Sequence, residues 1–231
     1  MRGLKFILPV VILFSSATLS AQETYKEVKP VKQNTIYQGN SFYPVKTFTQ
    51  KFRSKKPKNI ILMIGDGMGV AYVFAGITAN GGDLFLNNCK YVGFSETQSA
   101  NDYITDSAAG GTALSTGVRT NNGSIAVDVD QHPLQTILEE AGENKLSTGL
   151  VSTSAITHAT PASFIAHQNA RGSYEAIAAD FLKSDVDVFI GGGYKHFSER
   201  QDGRDLIGEL KKKGYLVLQN INDIATVKSG K

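Results

Sequence analysis

The 231-residue chain has one cysteine, Cys89, and no apolar run long enough to cross a membrane. A single cysteine excludes an internal disulfide, and the apolar residues around Cys89 predict a buried, unreactive side chain. The apolar run at residues 6–14 is much shorter than the about 20 residues that a spanning helix needs. The sequence therefore predicts neither a disulfide-linked domain nor a stable membrane anchor.

The short apolar run has the features of a secretory signal. Arg2 and Lys5 precede it, and small residues through Ser20 and Ala21 follow it. Residues 1–21 are thus predicted to be a signal peptide that is cleaved near Ala21, where no cysteine stands to carry a lipid. The expected location is exported, in a periplasm or outside the cell.

Basic charge is scarce in the part of the chain that is expected to fold. Residues 1–58 hold eleven Lys and Arg against two Glu, which leaves thirteen basic and nineteen acidic residues in 59–231. This balance argues against nucleic acid as a partner, because nucleic-acid-binding proteins concentrate basic charge on the folded face. Residues 22–57 are predicted to be a basic extended arm, and residues 58–231 to be the folded domain. Weak attraction of the arm to a membrane surface is the lesser alternative, because its basic residues lack amphipathic helical spacing.

From residue 59 onward, strand-like and helix-like segments alternate. Strands are predicted at 60–64, 91–97, 147–151, 186–190 and 215–218, and helices at 70–79, 107–115, 133–144, 174–182 and 205–213. This order predicts an α/β fold with a doubly wound, mostly parallel sheet and helices on both faces. No repeat of fixed period is present.

Ser107 stands between Asp106 and a run of very small residues, which predicts that it lies at a helix start. Unpaired N–H groups and the helix dipole favour an anion there. A plain helix cap is the other interpretation of an Asp-Ser pair. The Gly-x-Ser-x-Gly elbow of many hydrolases is absent, so metal ions are the other route to an activated Ser107 hydroxyl.

Asp66 follows the apolar residues 60–64 and lies between Gly65 and Gly67, which allow a tight turn at the carboxyl end of a strand. Ligands collect at this edge of open α/β sheets. A carboxylate in this position needs a cation to neutralise it, unless it is a turn aspartate that bonds its own backbone.

Three stretches that contain these residues resemble the alkaline phosphatase family in order and spacing: 60–69, 105–113 and 157–171. The resemblance runs from about residue 58 to about residue 197. It implies a metal-dependent phosphomonoesterase with a phosphoserine intermediate, and thus a phosphate monoester as substrate. In the terms of this resemblance, Ser107 is the nucleophile, Arg171 binds phosphate and Asp106 orients Arg171.

The resemblance also implies a metal site with two zinc ions and one magnesium ion. Asp66 would bridge a zinc ion and the magnesium site, and Ser107 would contact zinc. His158 and Thr160 would contribute to the magnesium site. An imidazole suits zinc better than magnesium, so His158 leaves the identity of the third ion open.

Family members take further zinc ligands from regions well beyond the third stretch, and this chain ends at Lys231 before such residues appear. The fold is therefore expected to be C-terminally incomplete, and residues 22–231 alone are expected to lack appreciable ester hydrolysis. A noncatalytic fragment that weakly binds phosphate or a metal ion is the alternative. Sulfatase or phosphodiesterase chemistry is disfavoured because the Cys/Ser-x-Pro-x-Arg sulfatase signature is absent. A homodimer is one assembly open to the complete protein.

Three weaker signals remain. The Asn-Gly-Ser motif at 122–124 fits a glycosylation acceptor and equally a turn. Residues 191–193, all glycine, are favoured as a tight turn over a phosphate cradle because no Lys-Ser/Thr pair follows. His132 and His167 match no ligand position and His196 lies near a glycine turn, so all three are predicted to be structural or surface residues.

Overall fold

The computed structural model describes residues 42–48 and 56–227. The predicted signal peptide, residues 1–21, and most of the predicted arm, residues 22–57, lie outside the described residues. In the described part of the chain, no helix is long and apolar enough to span a membrane.

Helices and short strands alternate along the described chain. They are α1 (Val70–Ala79), α2 (Ser107–Thr116), α3 (Ile137–Glu143), β1 (Gly149–Ala155), α4 (Ala159–Ala162), α5 (Tyr174–Asp180), β2 (Val188–Gly192), α6 (Lys195–Ser198) and α7 (Leu206–Lys212). Short 3-10 helices cover Phe85–Asn88 and Ile221–Thr226. This order confirms the predicted α/β class, although several bounds differ from those predicted by a few residues.

Strands β1 and β2 are parallel neighbours in the sheet. Gly149 pairs with Val188, and after an irregularity beyond Val151 the pairing resumes between Ala155 and Gly192. The chain between the two strands contains α4 and α5, as a crossover between parallel strands requires. The residues that follow β1 therefore emerge at the carboxyl end of the sheet, where ligands bind in folds of this class.

Local capping signals explain where the helices begin. At α2, the carboxylate of Asp106 accepts a hydrogen bond from the Ala109 N–H at 2.9 Å. Helix α3 begins at Ile137, four residues later than predicted, because Thr136 and Glu139 form a reciprocal capping box. Pro133 instead lies in an antiparallel bridge with Val127.

The core lies among the helices and strands that follow residue 99. Phe181 is fully buried, and its ring lies 4.8 Å from that of Phe189 and 5.9 Å from that of Phe197, measured between centroids. Leu206 and Leu210 of α7 are buried against the same cluster. Burial of these large apolar side chains is the main stabilising term for this part of the molecule.

The predicted strands at 60–64, 91–97 and 215–218 are not formed in the structure. Ile60, Met63 and Phe94 are 86%, 88% and 98% exposed. A strand needs a hydrogen-bonded neighbour, and none of the described segments pairs with 60–64 or 91–97. Apolar composition alone was therefore an insufficient signal for these strands.

Cys89 is exposed, so the prediction of a buried side chain was wrong. Its apolar neighbours Phe85 and Leu86 are themselves 46% and 45% exposed. Tyr43 and Phe48 stack on the Phe85 ring, with centroid distances of 5.8 and 6.2 Å, but this partial cover leaves Cys89 exposed.

Candidate active site

Asp66 joins two hydroxyl groups that are distant in the sequence. Its Oδ1 accepts a hydrogen bond from the Ser107 hydroxyl at 3.1 Å, and its Oδ2 accepts one from the Thr160 hydroxyl at 3.2 Å. Asp66 sits in a turn in which the Met68 N–H donates to the Gly65 carbonyl at 3.1 Å. The turn directs the carboxylate toward the start of α2 and toward α4.

Ser107 is the first residue of α2, and Asp106 is the residue that caps the helix. The side chain of Ser107 is thus not used as a cap and donates to Asp66 instead. In the described structure, the N–H groups of Ser107 and Ala108 have no hydrogen-bond acceptor, as expected in a first helical turn. These two donors and the helix dipole favour an anion beside the Ser107 hydroxyl.

Asp106 and Arg171 form an ion pair beside Ser107. Arg171 Nη1 donates to Asp106 Oδ2 at 3.0 Å, and both side chains are partly buried. Burial acts to raise the pKa of Asp106, but hydrogen bonds from Ala109, Arg171 and Gly123 outweigh it, so the pKa lies below its usual value. Asp106 is therefore ionised at neutral pH and holds the guanidinium in place.

His158 lies against Arg171, with 3.4 Å between His158 Nε2 and Arg171 Nη2. Because the guanidinium has only donors, Nε2 is the acceptor in this contact. In the described structure, no hydrogen bond joins the His158 side chain to Asp66 or to Thr160. The structure thus brings Asp66, Ser107 and Thr160 together, while the assignment of His158 to the magnesium site stays a prediction.

The loop at residues 121–124 contacts this site, although the sequence predicted no functional role for it. The Asn122 side chain accepts a hydrogen bond from the Asp106 N–H at 3.0 Å, and the Gly123 N–H donates to the Asp106 carboxylate at 3.0 Å. These contacts join residues about 16 positions apart in the sequence, where no periodic pattern indicates them.

The remaining histidines are engaged outside this cluster. His167 bonds Glu139 and the Ala126 carbonyl, both at 2.8 Å. The His196 ring stacks on Tyr174 with a centroid distance of 4.7 Å. These two contacts agree with structural roles.

His132 belongs to an exposed group with Asp128 and Asp130, whose potential ligand atoms lie within 4.8 Å of one another. Asp128 accepts hydrogen bonds from the backbone N–H groups of Asp130 and His132, so the group is held by its own loop. Exposed acidic groups of this kind are common without a bound ion.

Comparison with known proteins decides the family. A family model described as Alkaline phosphatase matches residues 57–231. The chain belongs to the alkaline phosphatase family. Alkaline phosphatase 3 of Bacillus subtilis (strain 168) is 40% identical over 188 residues, which cover 72% of this chain and 39% of that protein. Alkaline phosphatase of Escherichia coli (strain K12) is 32% identical over an alignment that covers 87% of this chain and 51% of that protein.

Solved alkaline phosphatases confirm the fold class. The enzyme from the Antarctic bacterium TAB5 matches with a TM-score of 0.72 and 40% identity, covering 75% of this chain and 51% of that one. A TAB5 variant in which aspartate replaces a histidine, solved with magnesium bound in its M3 site, matches with a TM-score of 0.67 over 74% of this chain and 50% of that one. The chain thus spans about half the length of these alkaline phosphatases, or less.

Proposed function

We propose that this protein hydrolyses phosphate monoesters through a phosphoserine formed on Ser107. The observation that carries the proposal is the position of the Ser107 hydroxyl. It lies at a helix start, 3.1 Å from Asp66, beside the Asp106 and Arg171 ion pair. Membership of the alkaline phosphatase family supports the same reaction.

In the proposed reaction, Ser107 Oγ attacks phosphorus and the bond from phosphorus to the ester oxygen breaks. The alcohol leaves with the electron pair of that bond and takes up the proton that the Ser107 hydroxyl gives up. Water then attacks the phosphoserine, which releases phosphate and restores the Ser107 hydroxyl. Two displacements replace one difficult step. The Ser107 proton faces Asp66 Oδ1 in the structure, so Asp66 is the group that holds it before attack.

Arg171 is the proposed phosphate-binding residue. One guanidinium nitrogen donates to Asp106, and a guanidinium has five N–H donors in total, so donors remain for phosphate oxygens. Asp106 fixes the orientation of the Arg171 guanidinium. The free N–H groups at the start of α2 lie beside Ser107 as well. This arrangement would hold a phosphoryl group in front of Ser107.

The donor set around Asp66 fits magnesium. Asp66 and Thr160 offer oxygen atoms, which hard cations prefer, and would hold the ion in place of their present hydrogen bond. A bound cation stabilises the negative charge on the phosphoryl oxygens. Zinc fits less well, because about three or more protein ligands per ion are usual and the described residues offer only Asp66 and Ser107 to a zinc pair. Asp66 and Ser107 are thus the described residues that we propose for the zinc ions, and Asp66 and Thr160 those for magnesium.

A second candidate function is binding of phosphate without hydrolysis, which the Asp106 and Arg171 ion pair beside the start of α2 supports. The Asp106 and Arg171 pair would serve such a protein equally well. Zinc content of the purified protein separates the two candidates. Two zinc ions per chain would support the enzyme, and fewer would support the binding protein.

The test of the nucleophile uses the protein expressed from its own gene and saturated with zinc and magnesium. Acid quench after brief incubation with a phosphate monoester is expected to leave phosphate on the peptide that contains Ser107, as mapped by mass spectrometry. Ser107→Ala is expected to abolish the label and the turnover, whereas Ser198→Ala, on α6, is expected to retain both. Label found only on another residue would contradict the proposal. Phosphate binding without any label would favour the second candidate.

A further inference from the structure

The loop at residues 121–124 forms a tight turn beside Ser107. The Ser124 N–H donates to the Asn121 carbonyl at 3.1 Å, and Gly123 has a φ of 85°, a conformation that favours glycine. The turn interpretation of the Asn-Gly-Ser motif therefore agrees with the structure. The side chain of Asn122 is used for more than the turn.

The side chain of Asn122 makes two hydrogen bonds to the segment that leads into Ser107. Its Oδ1 accepts from the Asp106 N–H at 3.0 Å, and its Nδ2 donates to the Ile104 carbonyl at 2.7 Å. If the amide were flipped, its NH2 group would face the Asp106 N–H and its oxygen would face the Ile104 carbonyl, and neither pair could form a hydrogen bond. These two partners therefore fix the orientation of the amide.

Gly123 connects the same segment to Arg171. Its N–H donates to Asp106 Oδ2 at 3.0 Å, and its carbonyl accepts from the Arg171 N–H at 2.7 Å. Asp106 Oδ2 also accepts from the Arg171 guanidinium at 3.0 Å. The turn thus links the backbone next to Ser107 with both the backbone and the side chain of Arg171.

The turn itself rests on buried structure. Ile125 and Gln168 exchange two backbone hydrogen bonds, at 2.8 and 3.0 Å. The hydroxyl of Thr112, a buried residue of α2, donates to the Ser124 carbonyl at 3.3 Å and accepts from the Ala126 N–H at 2.9 Å. These bonds give the turn a fixed position relative to the helix that begins at Ser107.

We propose that Asn122 is a positioning residue that sets the placement of Ser107 relative to Arg171. In the described structure its side chain makes no hydrogen bond to Ser107, and it acts through Asp106 and the chain at 104–106. The proposal rests on the proposed roles of Ser107 and Arg171. Displacement of a catalytic group by about 1 Å lowers the catalytic rate by about 100-fold. Loss of the two Asn122 hydrogen bonds is therefore expected to lower kcat substantially.

The test compares Asn122→Ala with Asn121→Ala in the protein expressed from its own gene. Asn121 is the matched control, because it lies in the same turn and, within the described structure, its side chain makes no hydrogen bond. Asn122→Ala is expected to lower kcat by about 10- to 100-fold and to weaken inhibition by inorganic phosphate several-fold. Asn121→Ala is expected to change neither by more than about twofold.

Hydrogen exchange measured by mass spectrometry supplies a readout that does not depend on turnover. Peptides that contain residues 104–106 are expected to exchange faster in Asn122→Ala than in Asn121→Ala. Asn122→Asp retains an acceptor for the Asp106 N–H and loses the donor to Ile104, so an intermediate kcat is expected. This variant also serves as the measurement if Asn122→Ala does not fold.

A lower melting temperature with unchanged kcat and phosphate inhibition in the folded Asn122 variants would overturn the proposal, because it would show a purely structural role. If Ser107→Ala retains full turnover, the proposed function fails instead. If Ser107 is not the nucleophile, inhibition by inorganic phosphate and hydrogen exchange at residues 104–106 still test whether Asn122 places Arg171 and Asp106. Equal behaviour of the Asn122 and Asn121 variants in both measurements would then overturn the positioning role.

Discussion

Residues 56–98 and residues 99–217 contribute to the same candidate site from very different surroundings. In 56–98 no described residue is buried, whereas every buried residue of the described chain lies from Ser99 to Leu210. Ser107, Thr160 and Arg171 stand on the packed region, and Asp66 stands on the exposed one. The proposed phosphate-binding side of the site thus has a rigid support, while the carboxylate of Asp66, the proposed metal ligand, depends on few contacts.

The exposed region presents a broad apolar surface. Ile61, Tyr72, Tyr91 and Val92 are each more than 70% exposed, far beyond the scattered apolar residues of an ordinary surface. Asp66 is held to the packed region by its bonds to Ser107 and Thr160, and Glu96 is held by Arg119 at 2.8 Å. Exposed polar contacts of this kind contribute little to stability, so the two regions are expected to differ in local stability.

The largest effect is expected at Arg171, on the packed side. Arg171→Ala should weaken inorganic phosphate binding by about 1.5 to 3 kcal/mol, because charge-assisted hydrogen bonds to the anion are lost. Isothermal titration with phosphate measures the change. If the packed region alone supports phosphate binding, Asp66→Asn should change the same affinity much less.

Arg119→Ala is the matched control for this measurement. Its side chain is 47% exposed, and its guanidinium pairs with Glu96 of the exposed region and not with Asp106. The variant is expected to leave phosphate affinity within about twofold, as for an exposed ion pair. Equal losses in the Arg171 and Arg119 variants would indicate general electrostatic attraction instead of a specific clamp.

A smaller effect is expected at His158. Magnesium binding there tests whether the packed region and the exposed region contribute to one metal site. His158→Asp is expected to raise magnesium affinity by about tenfold, because an anionic oxygen suits this ion better than a neutral nitrogen. Magnesium titration of the variant and the parent protein measures the difference.

The double variant His158→Asp with Asp66→Asn sharpens that experiment. If exposed Asp66 belongs to the same metal site, the added affinity should disappear in the double variant. Unchanged or weaker magnesium binding in His158→Asp itself would contradict the prediction. The introduced carboxylate would then pair with Arg171, whose guanidinium already lies 3.4 Å from the imidazole.

The contrast between the regions also explains what could be predicted of the fold. Helix α2 was predicted to within one residue because its signals, Asp106 at the start and small residues throughout, are local. Residues 60–64 carry an equally clear apolar pattern, but a strand also depends on a neighbour that is distant in the sequence. Capping by Thr136 and Glu139 overrode the expectation that α3 would begin at Pro133.

The candidate site divides in the same way. The convergence of Asp66, Ser107 and Thr160 was expected from the family resemblance, because the three matching motifs imply that residues distant in the sequence share one site. The contact of His158 with Arg171 depends on side-chain packing, which the motif does not specify. Asn122 was missed because its partners, Ile104 and Asp106, are reached only through the folded turn.

The smallest effect is expected at His167, inside the packed region and outside the site. Nδ1 bonds the Ala126 carbonyl and Nε2 bonds Glu139, both at 2.8 Å, so both ring nitrogens face acceptors and the imidazolium is favoured. The hydrogen bond that His167 donates to Glu139 is the main reason that the pKa of His167 lies above its usual value. The pKa of Glu139 lies below its usual value because hydrogen bonds from His167 and Thr136 outweigh its burial.

Because the pKa of His167 is raised on folding, its stabilisation is complete below about pH 6.5 and is lost as pH rises through the raised pKa. His167→Gln should therefore lower the free energy of unfolding by about 1 kcal/mol at pH 6 and by less at pH 9, measured by urea unfolding. His132→Gln is the control, since its ring is 75% exposed, and should change stability by less than about 0.5 kcal/mol at either pH. A loss in His167→Gln that is equal at pH 6 and pH 9 would show that packing, and not the charge on the imidazole, accounts for its contribution.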